Sequence, residues 1–200
     1  LDYIIHKIQL DNIVDHNYML NLASPDYAFK YHHLPNKGIG LLRVEFIINN
    51  YIRVHPLAVL DSQNDSQLET EIQQLSTGYS SPVDFFINKF ANGIAKIACS
   101  VYPDDCITRT SDFKTNEYSK LLGGKYYEPC EENPMIGFRG ASRYYSEEYE
   151  PAFRMECKAI YKARIEYGLD NIHLMIPFCR TVEEFQKVSK IMNECGLVSG

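Results

Sequence analysis

Hydrophobic and polar positions along this chain follow two different periods. Short runs in which nearly every residue is apolar predict β-strands, and longer stretches with an apolar residue at every third or fourth position predict amphipathic helices. The predicted strands occupy residues 17–24, 38–48, 106–113, 135–141 and 171–178. The last of them, NIHLMIPF, is continuously apolar, which is typical of a strand buried on both faces.

Helix start and stop signals lie between these runs. Serine followed by proline predicts a helix N-terminus after Ser24 and after Ser81, and Thr181 with Glu184 has the spacing of a capping box. Glycines predict the ends of three helices, at Gly78, Gly168 and Gly196. The predicted apolar faces consist of Leu68, Ile72 and Leu75; Phe86, Ile87, Phe90, Ile94 and Ile97; Phe153, Cys157, Ile160 and Tyr161; and Phe185, Val188, Ile191 and Met192.

The order of these elements indicates the fold class. Strands that alternate with helices are the signature of a parallel sheet in an α/β fold. With 200 residues, of which 45% are hydrophobic and 23% charged, the chain is long enough to bury one large core. The sequence therefore predicts an α/β domain built on a parallel sheet.

Four arginines lie late in the predicted strands or just beyond them. They are Arg43 in GLLRVEF, Arg109 in CITRTSDF, Arg139 in MIGFRGA and Arg180 in IPFCRT. The carboxyl ends of parallel strands meet at one edge of the sheet, where α/β proteins bind ligands, so we expect these side chains to converge there. Guanidinium groups bond two oxygens of a phosphate or carboxylate at once. The pattern therefore predicts a site for a small phosphorylated acid.

A structural role for the same arginines is the alternative. Glu45 lies two residues after Arg43, and Asp112 lies three residues after Arg109, so each arginine could be held in an ion pair. For a single arginine this is at least as plausible as a ligand contact. For the set, we expect the two carboxylates to orient the guanidinium groups. Arg180 has the weakest case because it directly precedes a helix cap.

Charge and composition exclude several classes of partner. A net charge of −6 and a pI near 5.5 argue against a nucleic-acid or anionic-membrane surface. No run approaches the roughly 20 apolar residues of a membrane span, and LDYIIHKIQLD does not resemble a signal peptide. The six cysteines form no CxxC pair and do not accompany histidines at metal-ligand spacing. They predict reduced thiols in a cytoplasmic protein.

Four long blocks then occur in order along the chain: GIGLLRVEFIINNYIRVHPLAVL, TRTSDFKTNEYSKLLGG, YYEPCEENPMIGFRGASRYY and IHLMIPFCRTVEEF. Together they closely resemble the C-terminal barrel domain of the phosphoenolpyruvate (PEP) synthase family, also called pyruvate, water dikinases. The resemblance extends from about residue 17 to about residue 197. Pyruvate phosphate dikinase and the first enzyme of the sugar phosphotransferase system share the barrel and its arginines, but SDFKTNEYSKLLGGKYYEP is similar to the synthase family alone.

The resemblance implies a fold and a chemistry. The fold would be a TIM-type (β/α)8 barrel that binds pyruvate and PEP at the carboxyl ends of its strands. Members of the family use ATP to phosphorylate a mobile histidine, releasing AMP and phosphate, and the phosphohistidine phosphorylates pyruvate with Mg²⁺ bridging. Arg43 and Arg109 match the two substrate-binding arginines of the family, and Arg139 matches a third arginine of that pocket.

The resemblance also implies parts that lie elsewhere. The ATP-binding and phosphohistidine domains would precede this region, and the glutamate and aspartate that bind Mg²⁺ would follow it, as would a proton-donating cysteine. Cys195 does not occupy that cysteine's position, so no metal ligand and no catalytic group is assigned within the chain. The expected partners are pyruvate or PEP and the phosphohistidine domain. Unpaired sheet edges would favour association, so a homo-oligomer is also considered.

Two hypotheses follow for the whole chain. Residues 1–200 are expected to form a partial PEP/pyruvate-binding barrel domain with about the first five β/α units, and residues 1–16 a lead-in segment. The start at Leu1 and the end after the fifth predicted strand favour a piece of an active synthase, inactive by itself. The alternative is a remnant that binds phosphorylated small acids without turnover. A reading frame that continues into a strand bearing glutamate would support the first hypothesis, and a stop codon after Gly200 the second.

Overall fold

Four parallel strands form the sheet in the computed structural model, which describes residues 17–62 and 65–198. They are β1 (Leu20–Leu22), β2 (Ile39–Arg43), β3 (Cys106–Arg109) and β4 (Ile172–Met175), side by side in chain order. Each neighbouring pair is parallel, which confirms the predicted α/β class. The predicted lead-in segment, 1–16, lies outside the described residues.

The sheet is open within the described residues. β1 and β4 are its two edges and do not pair with each other. Residues 17–62 and 65–198 contain four strands, whereas five were predicted. The first five units of a barrel are therefore not what this part of the chain shows, although an open parallel sheet is compatible with a TIM-type barrel.

Helices connect the strands and cover the sheet. The longest of those described, α5 (Pro82–Val101), packs against α8 (Glu150–Tyr161), β2 and β3. Four residues of its predicted apolar face are buried: Phe86, Phe90, Ile94 and Ile97. No helix among the described residues is long and apolar enough to cross a membrane. In the described ranges the α-helices are α1 (Ala28–Tyr31), α2 (Glu45–Ile47), α3 (Pro56–Leu60), α4 (Ser66–Leu75), α5 (Pro82–Val101), α6 (Thr115–Tyr118), α7 (Ala141–Tyr144), α8 (Glu150–Tyr161) and α9 (Val182–Glu194). Short 3₁₀ turns cover Pro25–Tyr27 and Gly124–Tyr126, and π-helical turns cover Ile48–Ile52 and Lys162–Glu166.

The predicted helix caps are confirmed in part. Ser81 Oγ accepts a hydrogen bond from Asp84 N at 3.1 Å, and Thr181 Oγ1 accepts one from Glu184 N at 3.2 Å. The Glu184 carboxylate accepts a hydrogen bond from the amide of Arg180 and not from that of Thr181, so the capping box is incomplete. Ser24 precedes a 3₁₀ turn but makes no side-chain cap, because its hydroxyl lies 3.5 Å from Tyr51 Oη.

The predicted strand 38–48 is shorter than expected. It ends at Arg43, and the chain turns into α2, where the amides of Ile47 and Ile48 both donate to the Val44 carbonyl. Val44, Ile47 and Ile48 are all buried at helical spacing, whereas Phe46 between them is exposed. A continuous apolar run does not distinguish a buried strand from a buried helix, and here it contains one of each.

The predicted strand 135–141 is wrong. This segment forms turns, with Met135 and Ile136 mostly exposed. Gly140 adopts a φ of +62°, a left-handed conformation that interrupts any extended run. The amide of Phe138 bonds to the Glu131 carboxylate instead of to a neighbouring strand.

The predicted strand 171–178 is present as β4, but its burial on both faces is not. Ile172 is buried, His173 and Met175 are exposed, and Leu174 is intermediate. His173 and Met175 lie two residues apart and therefore share one face of the strand, which is the uncovered one. Phe178, with a φ of +49°, lies beyond the strand.

Candidate functional site

Two of the predicted arginines lie side by side at the carboxyl end of the sheet. Arg43 ends β2, Arg109 ends β3, and the two residues are direct partners in the parallel register. A cavity of about 440 Å³ opens at this end and is lined by Arg43, Arg109 and Arg139. The structure therefore brings three of the four predicted arginines together. The other lining residues are Leu41, Glu45, Phe46, Asn49, Asp112, Phe113, Lys114 and Glu117.

Asp112 joins two of these arginines. Its Oδ2 lies 2.9 Å from Arg109 Nη1, and its two oxygens accept from Arg139 Nε at 2.7 Å and from Arg139 Nη2 at 3.1 Å. The pair with Arg139 is bidentate, which fixes the plane of the guanidinium group as well as its position. The Asp112 side chain is 2% exposed, so water screens these bonds little.

Glu45 pairs across the sheet and not with its near neighbour Arg43. Its Oε1 lies 3.1 Å from Arg109 Nη2 and accepts a hydrogen bond from Asp112 N at 2.6 Å. Burial raises the pKa of Glu45, and the nearby Arg109 charge opposes that rise. Glu45 Oε2 and Arg109 Nε are both buried without a hydrogen-bond partner in the described part of the chain. Unpaired buried polar atoms are costly, and both of these belong to residues that line the cavity.

Arg43 lines the cavity without an ion-pair partner among the described residues. Its guanidinium lies 4.9 Å from the ring centroid of Phe46, and it makes no ion pair with any residue in 17–62 or 65–198. Its side chain is exposed. The structural ion pair with Glu45, one of the two sequence-level alternatives, is therefore absent. No carboxylate among the described residues is paired with the Arg43 guanidinium.

Arg139 reaches the site from a turn and not from a strand. The carbonyl of Phe138, the preceding residue, accepts from Arg143 Nε at 3.2 Å and from Arg143 Nη2 at 3.0 Å. Glu131 Oε1 accepts from Phe138 N at 2.9 Å. The backbone beside Arg139 is thus held on both sides, which places its guanidinium although no sheet bond does so.

The buried Arg143 is itself held by a carboxylate. Its Nη1 and Nη2 donate to Glu128 at 2.5 and 2.7 Å, and Glu128 Oε1 also lies 2.9 Å from His55 Nε2. Burial opposes ionisation of Glu128, but the bonds from Arg143 and His55 outweigh it and lower the pKa of this carboxyl. Burial lowers the pKa of His55, which favours its neutral form. Sequence reasoning missed this cluster; the spacing of Arg139 and Arg143 in RGASR was its one visible signal.

Arg180 does not join the site. It lies outside the cavity lining, its amide donates to Glu184 at 2.7 Å, and its Nη1 donates to the carbonyl of Phe178 at 3.3 Å. The ring of Phe178 contacts Arg139 on the site side, with 4.1 Å between the guanidinium carbon and the ring centroid. The predicted convergence of four arginines is therefore limited to three.

The cavity is electropositive despite the acidic chain. Four cationic and three acidic side chains line it, and Lys114, which sequence reasoning missed, pairs with Glu117 at 3.0 Å. Arg109 and Arg139 are 21% and 12% exposed, so a ligand can reach them from the opening. Clefts lined by one excess sign of charge concentrate ligands of the other sign. No group of three or more His, Cys, Asp or Glu residues that could hold a metal ion occurs in the described ranges. The geometry suits an organic anion.

Comparisons with known proteins identify the family of the chain. A family model described as "PEP-utilising enzyme, PEP-binding domain" matches residues 5–198. The chain is 48% identical over 203 residues to phosphoenolpyruvate synthase from Neisseria meningitidis, covering 100% of this chain and 26% of that protein. It is 50% identical over 200 residues to the Deinococcus radiodurans synthase, covering 98% and 26%, and 46% identical over 183 residues to that of Escherichia coli, covering 91% and 23%.

The chain spans about a quarter of the length of these curated relatives. The family match nevertheless covers nearly all of it, including every residue of the cavity. The chain belongs to the family of PEP-utilising enzymes and corresponds to their PEP-binding domain.

Proposed function

We propose that the cavity at the carboxyl end of the sheet binds PEP or pyruvate through Arg43, Arg109 and Arg139. The observation that carries the proposal is the register match of Arg43 and Arg109, with Arg43 left unpaired among the described residues. Asp112 and Glu45 hold Arg109 in place, so its guanidinium is oriented before a ligand arrives. A fixed cation beside a free one suits a ligand with two anionic groups, such as a phosphate and a carboxylate.

We further propose that the chain acts within a protein that converts ATP, pyruvate and water to PEP, AMP and phosphate. A base outside the described residues would take a methyl proton from pyruvate to form its enolate. A phosphohistidine on another domain would then donate its phosphoryl group to the enolate oxygen, breaking the P–N bond and forming the P–O bond. The arginines would hold the phosphoryl oxygens and stabilise the charge that develops on them. Positioning and charge stabilisation are most of what phosphoryl transfer asks of a protein.

We also propose that the site lies within a larger barrel and works with other parts of a longer protein. The sheet would belong to a TIM-type barrel, with further strands beside its open β1 and β4 edges. Following the family resemblance, we propose that Mg²⁺ is bound by ligands downstream of this chain, and we derive no step through it. The proposed setting is cytoplasmic, with the phosphohistidine domain as partner. A homo-oligomer is proposed for the case in which those β1 and β4 edges stay unpaired.

Replacing Arg43 by alanine in the full-length protein is expected to raise the dissociation constant for PEP about 10- to 100-fold. The loss of a charge-assisted hydrogen bond costs about 1.5–3 kcal/mol, and each 1.4 kcal/mol is tenfold. The side chain is exposed and unpaired within the described residues, so its removal should leave the fold unchanged. Isothermal titration with PEP measures the effect.

Arg180→Ala is the matched control, because Arg180 also follows a strand of the sheet but lies outside the cavity. It should change the dissociation constant by less than about twofold. Equal affinities for the wild type and Arg43→Ala would refute the proposed site. Normal PEP binding with no pyruvate-dependent AMP release by the full-length wild type would favour the non-catalytic binding protein.

A further inference from the structure

Side chains, not sheet bonds, hold the backbone just beyond β3. The strand ends at Arg109, and the last amide to bond to β4 is that of Thr110, which donates to the Met175 carbonyl at 3.0 Å. The next residue, Ser111, donates its amide to Glu156 Oε1 at 2.8 Å and its hydroxyl to Glu156 Oε2 at 2.7 Å. Its carbonyl accepts from the hydroxyl of Tyr144. Ser111 is therefore fixed at every polar atom by side chains from α7 and α8.

The Glu156 carboxylate is unusual in having no cation beside it. It is buried on α8 and makes no ion pair with the residues described. Burying an unpaired carboxylate is unfavourable, and the two bonds from Ser111 are the groups that compensate for it. A purely structural position on α8 could be filled by an apolar residue at lower cost. The arrangement therefore indicates that Glu156 serves to hold Ser111 in place.

We propose that Glu156 is a positioning residue for the anion site: by fixing Ser111 it sets the direction of the next residue, Asp112. The Asp112 carboxylate in turn holds Arg109 and Arg139 at their observed positions. This inference rests on the proposed function, because it assumes that these arginines bind PEP. Glu156 does not touch the cavity and acts only through Ser111 and Asp112.

Protonation of Glu156 should weaken its contact with Ser111. Burial raises the pKa of Glu156 to about 7, the bonds from Ser111 lower it, and the charge of Glu45 raises it. The Ser111 hydroxyl already accepts from Tyr118 Oη at 3.0 Å, so it needs Glu156 as an acceptor for its own proton. A protonated carboxyl or an amide offers one acceptor oxygen fewer. The titratable groups that face Glu156 are Glu45, Tyr118, Tyr144, Tyr149 and Cys157.

The test compares Glu156→Gln with the wild type in the full-length protein, using PEP as the titrant across a range of pH. At about pH 8.5, where Glu156 is ionised, the variant should bind PEP at least about fivefold more weakly. At about pH 6 the ratio of the two dissociation constants should fall below about twofold, because the wild-type carboxyl is then also protonated. Taking the ratio cancels the titration of PEP itself. Glu150→Gln replaces a partly exposed side chain on the same helix, and its dissociation constant should equal that of the wild type at both pH values.

Ser111→Ala provides a second route to the same answer. It should weaken PEP binding to a similar extent, and adding Glu156→Gln to it should change the affinity by less than about twofold, because both act through one contact. The proposal would be overturned if the affinity losses of the two single variants multiplied in the double variant. It would also be overturned if the ratio of the Glu156→Gln and wild-type dissociation constants did not change with pH. If Arg43→Ala, Arg109→Lys and Glu156→Gln all bind PEP normally, the proposed function itself fails. If Arg43→Ala and Arg109→Lys weaken PEP binding but Glu156→Gln does not, only the positioning role fails.

Discussion

Replacing Arg109 by lysine is expected to slow pyruvate-dependent AMP release by the full-length protein about 10²- to 10³-fold with little loss of stability. Lysine keeps a positive charge between Glu45 and Asp112 but lacks the planar fork that holds both carboxylates and can meet ligand oxygens. Removal of one donor that stabilises developing charge typically costs 10²–10³ in rate. Alanine is less informative here, because it would leave two largely buried carboxylates without their cation.

Arg154→Lys is the control for this substitution. Arg154 also pairs with two carboxylates, Glu150 and Glu194, but does so on the surface away from the cavity. Its replacement should change the rate by less than about twofold. If Arg109→Lys retained a rate within about threefold of the wild type, with unchanged circular dichroism, Arg109 would be a structural ion-pair residue only.

The place of the site could be predicted from the sequence because parallel strands end at a common edge. Arg43 and Arg109 lie at the ends of β2 and β3, and the register makes them neighbours. Asp112 could also be predicted as an orienting group, since it lies three residues beyond Arg109 and pairs with it. These inferences need only strand direction and short spacings, which a single sequence supplies.

The pairing within the site could not be predicted in the same way. Glu45 pairs with Arg109, 64 residues away in sequence, and not with Arg43 two residues before it. The reason is that the chain turns into α2 after Arg43, which directs Glu45 toward β3. Arg139 reaches the cavity from a turn held by Arg143, a contact that no periodicity indicates. Arg180, at a strand end by sequence, is held instead by the start of α9.

The cluster of His55, Glu128 and Arg143 was missed for a related reason. His55 and Glu128 are 73 residues apart, and both are hidden in the interior, where composition predicts apolar side chains. Only the folded structure shows that Arg143 is 1% exposed and is paired with a carboxylate that is equally buried. Arg143 of this cluster also donates to the Phe138 carbonyl, next to Arg139, so the buried cluster is connected to the backbone of the site.

The largest effect on stability is expected for Glu128→Ala, which should lower the free energy of unfolding by about 3–5 kcal/mol. Removing one partner of a buried ion pair leaves the other charge uncompensated, here that of Arg143. Glu166→Ala is the comparison, because its pair with Lys162 is partly exposed and should contribute less than about 1 kcal/mol. Urea unfolding of both variants in the full-length protein measures the difference. A loss below about 1 kcal/mol for Glu128→Ala would show that the buried pair contributes no more than the exposed one.

The pH dependence of stability gives the same prediction an independent test. The pKa of Glu128 is lowered in the folded protein, so its stabilising contribution is present above its ordinary value of 4.5 and is lost as pH falls through the folded value. In Glu128→Gln that acid-dependent loss should be absent, and its unfolding free energy should therefore fall less steeply below about pH 4.5 than that of the wild type. Parallel curves for the two proteins would mean that Glu128 ionises alike in the folded and unfolded states. Because Arg143 holds the carbonyl beside Arg139, the same variant should also weaken PEP binding at neutral pH.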